Sequence, residues 1–252
     1  MSATLLRAPL QAALTDLVFP PQAPTNLTVA GSTALFPVGR VFCIGRNYRW
    51  QADEPAPQAM PAWFMKPASA VVPVRKALPY PPGTNDFCHE IELVVAIGQG
   101  GSDLDPAQVE AEHIWGYAAG LDLTRRDLQQ QAKKDGGPWE AAKAFDHSAP
   151  CTPLMPASVG GHPRQAAVWL SVNGVERQRA DVADMLWPVP ALVAMLSRSV
   201  ALKPGDLVFT GTPVGVGPLR PGDLVEGGVA GIGQFAMTVA RPARPLFNTQ
   251  ET

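Results

Sequence analysis

Prolines and glycines interrupt this sequence from one end to the other. The 27 Pro and 23 Gly make up about a fifth of its 252 residues and do not gather into a low-complexity tract. Proline fixes φ and glycine admits backbone turns closed to other residues, so dispersed punctuation predicts many short elements joined by tight turns rather than disorder. A hydrophobic share of 46% with 17% charged residues is ordinary for a globular chain, and this length can bury a full core as one large domain.

Between the breakers the local patterns are mostly those of strands. VFCIG (41–45) and AWFMKP (62–67) are short apolar runs bounded by turn signals. EIELVVAIG (90–98) alternates at first and then turns continuously apolar, as expected of a strand entering a core. Tyr117 to Leu123 reads as a further buried strand. VWLSVNGVERQ (168–178) sets Asn-Gly between two alternating runs, a strong hairpin signal. PGDLVFTG (204–211) and PGDLVEGG (221–228) echo each other, each a Pro-Gly turn feeding a strand, but are too short and too few for a solenoid. Three or four short helices are expected. One starts at Asp105-Pro106 and runs to about His113, one is capped by Thr124 with Asp127 three residues on, and one covers 189–200. The sum is a β-rich α+β fold without regular βαβ alternation. Residues 1–36 read as a short N-terminal segment, 37–245 as the main domain and 246–252 as a tail.

Several functional classes are disfavoured at once. A net charge of −2 with no Lys/Arg-rich run leaves no footprint for nucleic acid. No stretch of 18 apolar residues suggests a membrane span, and the N-terminal residues lack a clean signal-peptide core. Cys43, Cys88 and Cys151 are odd in number and far apart, with no zinc-ligand spacing, which fits reduced thiols and a cytoplasmic location.

The sharpest chemical feature is His89-Glu90-Ile91-Glu92-Leu93. On a strand, Glu90 and Glu92 project to one face, which continues with the apolar Val94 and Ala96. Two acids on a face that becomes buried need a cation or protons to neutralise them, and oxygen donors select hard ions such as Mg²⁺, Mn²⁺ or Ca²⁺. The bland alternative is a strand whose outward face merely begins polar. Asp122 is either a third oxygen ligand or a helix cap, and Arg126, Asp127 and Gln129 are either site groups or a solvated helix face. Lys143, flanked by alanines and a phenylalanine, either snorkels or is drawn to a negative partner. TGTPVGVGP (210–218) lacks the lysine of a phosphate loop. It can offer backbone N–H groups and the Thr212 hydroxyl to an anion, or be a plain turn.

Read in order, GRNY (45–48), WFMKP (63–67), HEIEL (89–93), GYAAGLDLTRRDLQ (116–129), PWEAAKAFD (138–146), LSVNGVERQ (170–178) and PGDLVFTGTPVGVGP (204–218) resemble the fumarylacetoacetate hydrolase family, in particular its acylpyruvate and fumarylpyruvate hydrolase branch. The resemblance implies a mixed β-sandwich roll with peripheral short helices, a homodimer, and a bound Mg²⁺ or Mn²⁺. It places metal acids on Glu90, Glu92 and Asp122, a catalytic lysine on Lys143, and substrate contacts on Arg46, Lys66, Arg126, Gln129, Gly211 and Thr212. The implied reaction is hydrolysis of a C–C bond in an acylpyruvate-like β-diketo acid. Isomerisation of a 2-hydroxydienedioate, oxaloacetate-type decarboxylation and keto-acid binding without turnover are the alternatives.

One departure bears on that choice. The hydrolytic branch carries, after GRNY, a His followed three residues later by a Glu, and these activate water. Here the matching positions are Gln51 and Glu54. A glutamine orients water but has no pKa near neutrality, so the resemblance implies weakened hydrolysis unless His147, in the FDHS turn, approaches the site from elsewhere.

Overall fold

The computed structural model describes residues 18–49 and 61–241. Strands dominate, in an eight-stranded sheet, a five-stranded sheet, a three-stranded sheet and a hairpin. The large sheet is ordered Trp63–Lys66, Val41–Ile44, Leu207–Phe209, Ile91–Ile97, Ile114–Leu121, Ala149–Cys151 and Val71–Pro73, with Met155–Pro156 also paired to Ile114–Leu121. It is mixed: Leu207–Phe209 runs parallel to Val41–Ile44, and antiparallel to Ile91–Ile97. The five-stranded sheet is ordered Val175–Asp181, Ala167–Val172, Leu224–Val229, Gly233–Ala240 and Ala77–Pro79. Among the described residues two helices exceed two turns, Arg126–Asp135 and Val189–Ser199. The expected strand-rich α+β fold is the one observed.

The strand Ile91–Ile97 is buried on both faces along its whole length. Ile91, Leu93, Val95 and Ile97 join the larger core cluster, with Val168, Leu170 and Val225 of the five-stranded sheet. Val94 and Ala96 face a second cluster with Val41, Cys43, Leu207 and Phe209. The hairpin of Asn26–Thr28 and Leu35–Pro37 adds Leu27 and Phe36 to that second cluster, so packing is continuous across residue 36. Strand parity therefore puts Glu90 and Glu92 on the face of Val94 and Ala96, at the end of a strand with no solvated side. The alternative of an outward polar face does not hold: Glu92 is 1% exposed.

The Asn-Gly hairpin forms as expected. Asn173 (φ 54°) and Gly174 (φ 75°) both take the left-handed conformations that a two-residue turn between twisted strands requires. The two Pro-Gly-Asp turns each launch a strand, but Leu207–Phe209 enters the large sheet and Leu224–Val229 the smaller one. Other expectations needed adjusting. The Asp105-capped helix is α-helical only over Pro106–Gln108 and widens into a π turn over Val109–His113. The strand expected from Tyr117 begins at Ile114 and ends at Leu121.

Thr124 does not cap a helix. It is fully buried in the short strand Thr124–Arg125, paired opposite Cys88, and its hydroxyl donates to the Asp122 carbonyl (3.1 Å). The helix begins one residue later than a Thr124 cap would start it, at Arg126. Asp127 instead reaches sideways, accepting from the Thr84 hydroxyl (2.6 Å) and the Asn85 N–H (3.0 Å), so it ties the helix start to the loop ahead of Phe87–His89.

Candidate active site

Three carboxylates converge from two neighbouring strands. Asp122 follows Ile114–Leu121, whose Leu121 and Gly120 lie opposite Ile91 and Glu92 in the antiparallel register. The Asp122 N–H donates to the Glu90 carbonyl (2.9 Å), which holds the two chain segments together where the ladder ends. One carboxylate oxygen from each of Glu90, Glu92 and Asp122 lies within 4.8 Å of the others, and all three residues are buried.

The cluster is partly neutralised by cations from distant parts of the chain. Lys143 Nζ, on the short helix Glu140–Lys143, lies 2.8 Å from Glu90 Oε2 and 2.7 Å from Asp122 Oδ2. Burial works against its charge, but the Asp122 and Glu90 carboxylates outweigh that and hold the ammonium firmly protonated. Lys66 Nζ lies 2.9 Å from Asp122 Oδ1, and Arg126 Nη2 lies 2.5 Å from Glu90 Oε1. Burial alone would raise the Asp122 pKa, but Lys143 and Lys66 bring it below the usual aspartate value. Glu92 differs. It has no lysine or arginine within ion-pair distance among the described residues and accepts a single backbone bond, from the Gly211 N–H (2.7 Å). Desolvation, then the charges of Asp122 and Glu90, push its pKa well above the ordinary glutamate value.

That imbalance is the test of whether a divalent cation suits the site. Burying three acids against three basic groups, with one acid left unpaired, is costly unless a further cation joins them. The donors are all hard oxygens, the set that Mg²⁺ and Mn²⁺ take. The group fits.

Two of the acids open onto a cavity of about 600 Å³ whose wall includes Glu90, Asp122, Arg46, Arg126, Gln129, Lys143 and Thr212. Arg126 and Gln129 project from one face of the helix Arg126–Asp135, joined by an Nη1–Oε1 hydrogen bond of 2.5 Å. Gln130 and Lys133 continue that face into the cavity wall, following the i, i+3, i+4, i+7 spacing of one helical stripe. Gly211 carries φ +95°, and a Cβ there would come within 2.8 Å of Asn47 Cβ, so only glycine lets the loop turn its N–H toward Glu92.

The expected site residues thus separate by role. Glu90, Asp122, Arg46, Arg126, Gln129, Lys143 and Thr212 line one cavity, whereas Gly211 and Glu92 lie outside its lining and are joined to each other by a hydrogen bond. Lys66 is held on the closed side of Asp122, with its side chain fully buried and its Nζ donating to the Leu123 and Lys143 carbonyls, away from the cavity lining. Thr212 donates its hydroxyl to the Ile91 carbonyl (2.7 Å) rather than leaving it free for an anion. His147 (φ 62°) lines a different, small cavity beside Val72 and Arg75. Gln51 and Glu54 lie outside the described residues.

Sequence reasoning did not single out the aromatic wall. Phe64 and Trp139 meet at a tilt of 54° with 5.7 Å between centroids, with Lys143 Nζ 5.0 Å from the Phe64 ring and Lys133 Nζ 5.0 Å from the Trp139 ring. The helical stripe of Arg126, Gln129 and Lys133 was the available signal for Lys133. Cys88, also on the wall, has its thiol pushed up to about 12 by burial and by Asp86, which favours the protonated thiol over the thiolate.

The family model of the fumarylacetoacetate (FAA) hydrolase C-terminal domain matches residues 40–240. The chain is 49% identical to the fumarylpyruvate hydrolase of Pseudomonas aeruginosa, whose crystal structure is a complex with Mn²⁺ and pyruvate; the match covers 89% of this chain and 99% of that one, with a TM-score of 0.84. It is 42% identical over 200 residues to the oxaloacetate tautomerase YcgM of Escherichia coli K12, covering 77% of this chain and 89% of the relative. To the fumarylpyruvate hydrolase of a Ralstonia species it is 41% identical over 177 residues, covering 70% of this chain and 91% of the relative. The matched region contains the whole of the acid cluster and its cavity, and the chain belongs to the fumarylacetoacetate hydrolase family.

Proposed function

We propose that this protein is a divalent-metal-dependent enzyme that cleaves a C–C bond in an acylpyruvate-like β-diketo acid of the fumarylpyruvate type. The observation that carries the reading is the convergence of Glu90, Glu92 and Asp122 beside a cavity whose wall also holds Arg46, Arg126, Lys133, Lys143, Phe64 and Trp139. The half-identical Pseudomonas aeruginosa relative, a fumarylpyruvate hydrolase solved with Mn²⁺ and pyruvate, supports it.

Glu90, Glu92 and Asp122 would hold Mg²⁺ or Mn²⁺, which when bound supplies Lewis-acid stabilisation of enolate charge. Charge balance then argues for an anionic substrate. Three carboxylates face three cations, Lys66, Lys143 and Arg126. A divalent ion leaves this ion-paired cluster two charges positive, and Arg46 and Lys133 against Asp86 on the same wall add one more, so the cavity favours an anionic keto acid. Arg126 and Gln129, bonded to each other at the cavity wall, orient the keto-acid end. Lys143, held protonated beside Glu90 and Asp122, lies close enough to stabilise oxygens that gain charge. The acyl chain runs along Phe64 and Trp139, and Lys133 at the far end of that panel meets a distal carboxylate. Lys133 makes no ion pair among the described residues, so its charge is available.

Water attack on the distal carbonyl falls to the segment with Gln51 and Glu54, where Glu54 is the group able to take a proton. Because Gln51 cannot, tautomerisation of an oxaloacetate-type keto acid, which needs no attacking water, is the second reading. The oxaloacetate tautomerase likeness supports it. Steady-state assays of the Mn²⁺-loaded protein with fumarylpyruvate, a 2-hydroxydienedioate and enol-oxaloacetate decide between them. A kcat/KM for enol-oxaloacetate far above that for fumarylpyruvate would overturn the first reading, and no turnover of any of the three would leave keto-acid binding alone.

A further inference from the structure

The hairpin strand Val175–Asp181 lies at the edge of the five-stranded sheet, and one of its residues, Gln178, is buried. The pairing explains why. Leu170 sits opposite Gln178 but Ser171 sits opposite Glu176, so Arg177 is an extra residue and the ladder bulges. A bulge re-aims the side chains beside it, and such irregularities collect next to active sites. Here the bulge lies beside the residue whose amide enters the core at 1% exposure.

Every hydrogen-bonding position of that amide is used. Oε1 accepts from His89 Nδ1 (2.8 Å) and from the Ile91 N–H (3.2 Å). Nε2 donates to Thr212 Oγ1 (2.8 Å) and to the Pro213 carbonyl (2.8 Å). The backbone partners leave no freedom to flip the amide, since an N–H must meet the oxygen and a carbonyl must meet the nitrogen. The same logic makes His89 Nδ1 the protonated ring nitrogen. His89 and Ile91 flank Glu90. Thr212 and Pro213 follow Gly211, whose N–H binds Glu92.

We propose that Gln178 is a positioning residue that locks the Gly211–Pro213 loop to the strand bearing Glu90 and Glu92, so that the metal acids and the loop wall of the cavity hold one geometry. The proposal rests on the metal-dependent reading above. It gives the LSVNGVERQ hairpin, otherwise remote from the chemistry, a place in the site. Outer-shell partners of this kind typically change metal affinity or activity by about 10- to 100-fold when removed.

Two substitutions separate the halves of the clamp. Gln178→Glu keeps an acceptor for His89 and Ile91 but sets an oxygen against the Pro213 carbonyl; Gln178→Met removes both sides. Isothermal titration of Mn²⁺, and of oxalate into the Mn²⁺-loaded protein, reads each half. Gln178→Glu is expected to weaken oxalate binding by about 10-fold or more while shifting Mn²⁺ affinity less, and Gln178→Met to weaken both. Thr212→Val also removes the hydroxyl bond to the Ile91 carbonyl, so the double variant Gln178→Glu/Thr212→Val should lose more than Gln178→Glu alone but less than the product of the two single losses, because the Gln178–Thr212 contact is cut in both. Folded variants with wild-type affinities for both ligands, or losses that simply multiply in the double variant, overturn the proposal. Should the variants fail to fold, ¹⁵N spectra of the wild-type protein with Mg²⁺ still decide. His89 must be the Nδ1–H tautomer, and its resonance and the Gln178 amide must move when oxalate is added. The other tautomer, or unmoved signals, refutes the clamp. A wild-type protein that binds neither Mn²⁺ nor oxalate sinks the functional reading and this one together, whereas unaffected Gln178 variants sink this one alone.

Discussion

Glu92→Gln should make the metal-free protein more stable and the metal-loaded protein less so. Glu92 is 1% exposed and within 4.8 Å of oxygens of Glu90 and Asp122, and among the described residues it has one backbone hydrogen bond and no cation at ion-pair distance. Two like charges at that separation repel by about 3.5 kcal/mol at an effective dielectric of ~20. Lys143 and proton uptake both reduce this, leaving a net strain of about 1–3 kcal/mol in the absence of metal. Glutamine keeps the shape and the acceptor for the Gly211 N–H but removes the charge. Thermal unfolding in chelator should therefore show a melting temperature higher by about 2–4 °C per kcal/mol recovered. In Mn²⁺ the order should reverse, because wild type gains binding energy as RT ln(1 + [Mn²⁺]/Kd) and the variant does not. A metal-free variant that melts below wild type would refute the electrostatic reasoning. Mn²⁺ stabilisation of undiminished size in the variant would refute Glu92 as a ligand.

Gln51→His should raise fumarylpyruvate hydrolysis by up to about 10²–10⁴ in kcat, the usual worth of a placed base, with Mn²⁺ affinity unchanged; an unchanged kcat in a folded variant removes Gln51 from water activation. Lys133→Met should raise KM about two- to fivefold for a substrate with a distal carboxylate and leave KM for acetylpyruvate unchanged, the scale of a half-exposed ion pair. Equal effects on both substrates would show that Lys133 acts elsewhere. Asp127→Asn should cost about 1 kcal/mol near neutral pH through its contacts with Thr84 and Asn85. Burial would raise the Asp127 pKa, but the Thr84 hydroxyl and the Asn85 and Leu128 N–H groups lower it below the ordinary value. Its stabilisation is therefore fully present above the unfolded pKa of about 3.9 and lost as pH falls through the lower folded value. Urea unfolding of both forms should converge toward pH 3; a gap that persists there contradicts the assignment.

Much of the site could be read without a structure because its logic is local. Strand parity put Glu90 and Glu92 on one face and that face inside the core, and Asn173-Gly174 announced its own turn. Those rules involve neighbours one or two residues apart. They fail where competing local options are settled by partners far away. Thr124 had the chemistry of a helix cap, but its backbone was taken by Cys88 in a short ladder, and its hydroxyl by the Asp122 carbonyl. Lys143 could have snorkelled, yet two carboxylates drew it in. The family resemblance placed Lys66 among the substrate contacts, and the structure sets its ammonium against Asp122 on the closed side.

What this sequence determined by itself was the pair of acids on a strand bound for the core, and the turn-rich β framework that carries it. The requirement followed from burial alone: carboxylates taken out of water need compensating charge. The tertiary structure decided which groups supply it. Lys66, Lys143 and Arg126 come from segments far apart in sequence, and Gln178 reaches the site only because a one-residue bulge turns it inward. Pairings at such separations depend on how sheets stack and loops close, and no periodicity along the chain encodes them.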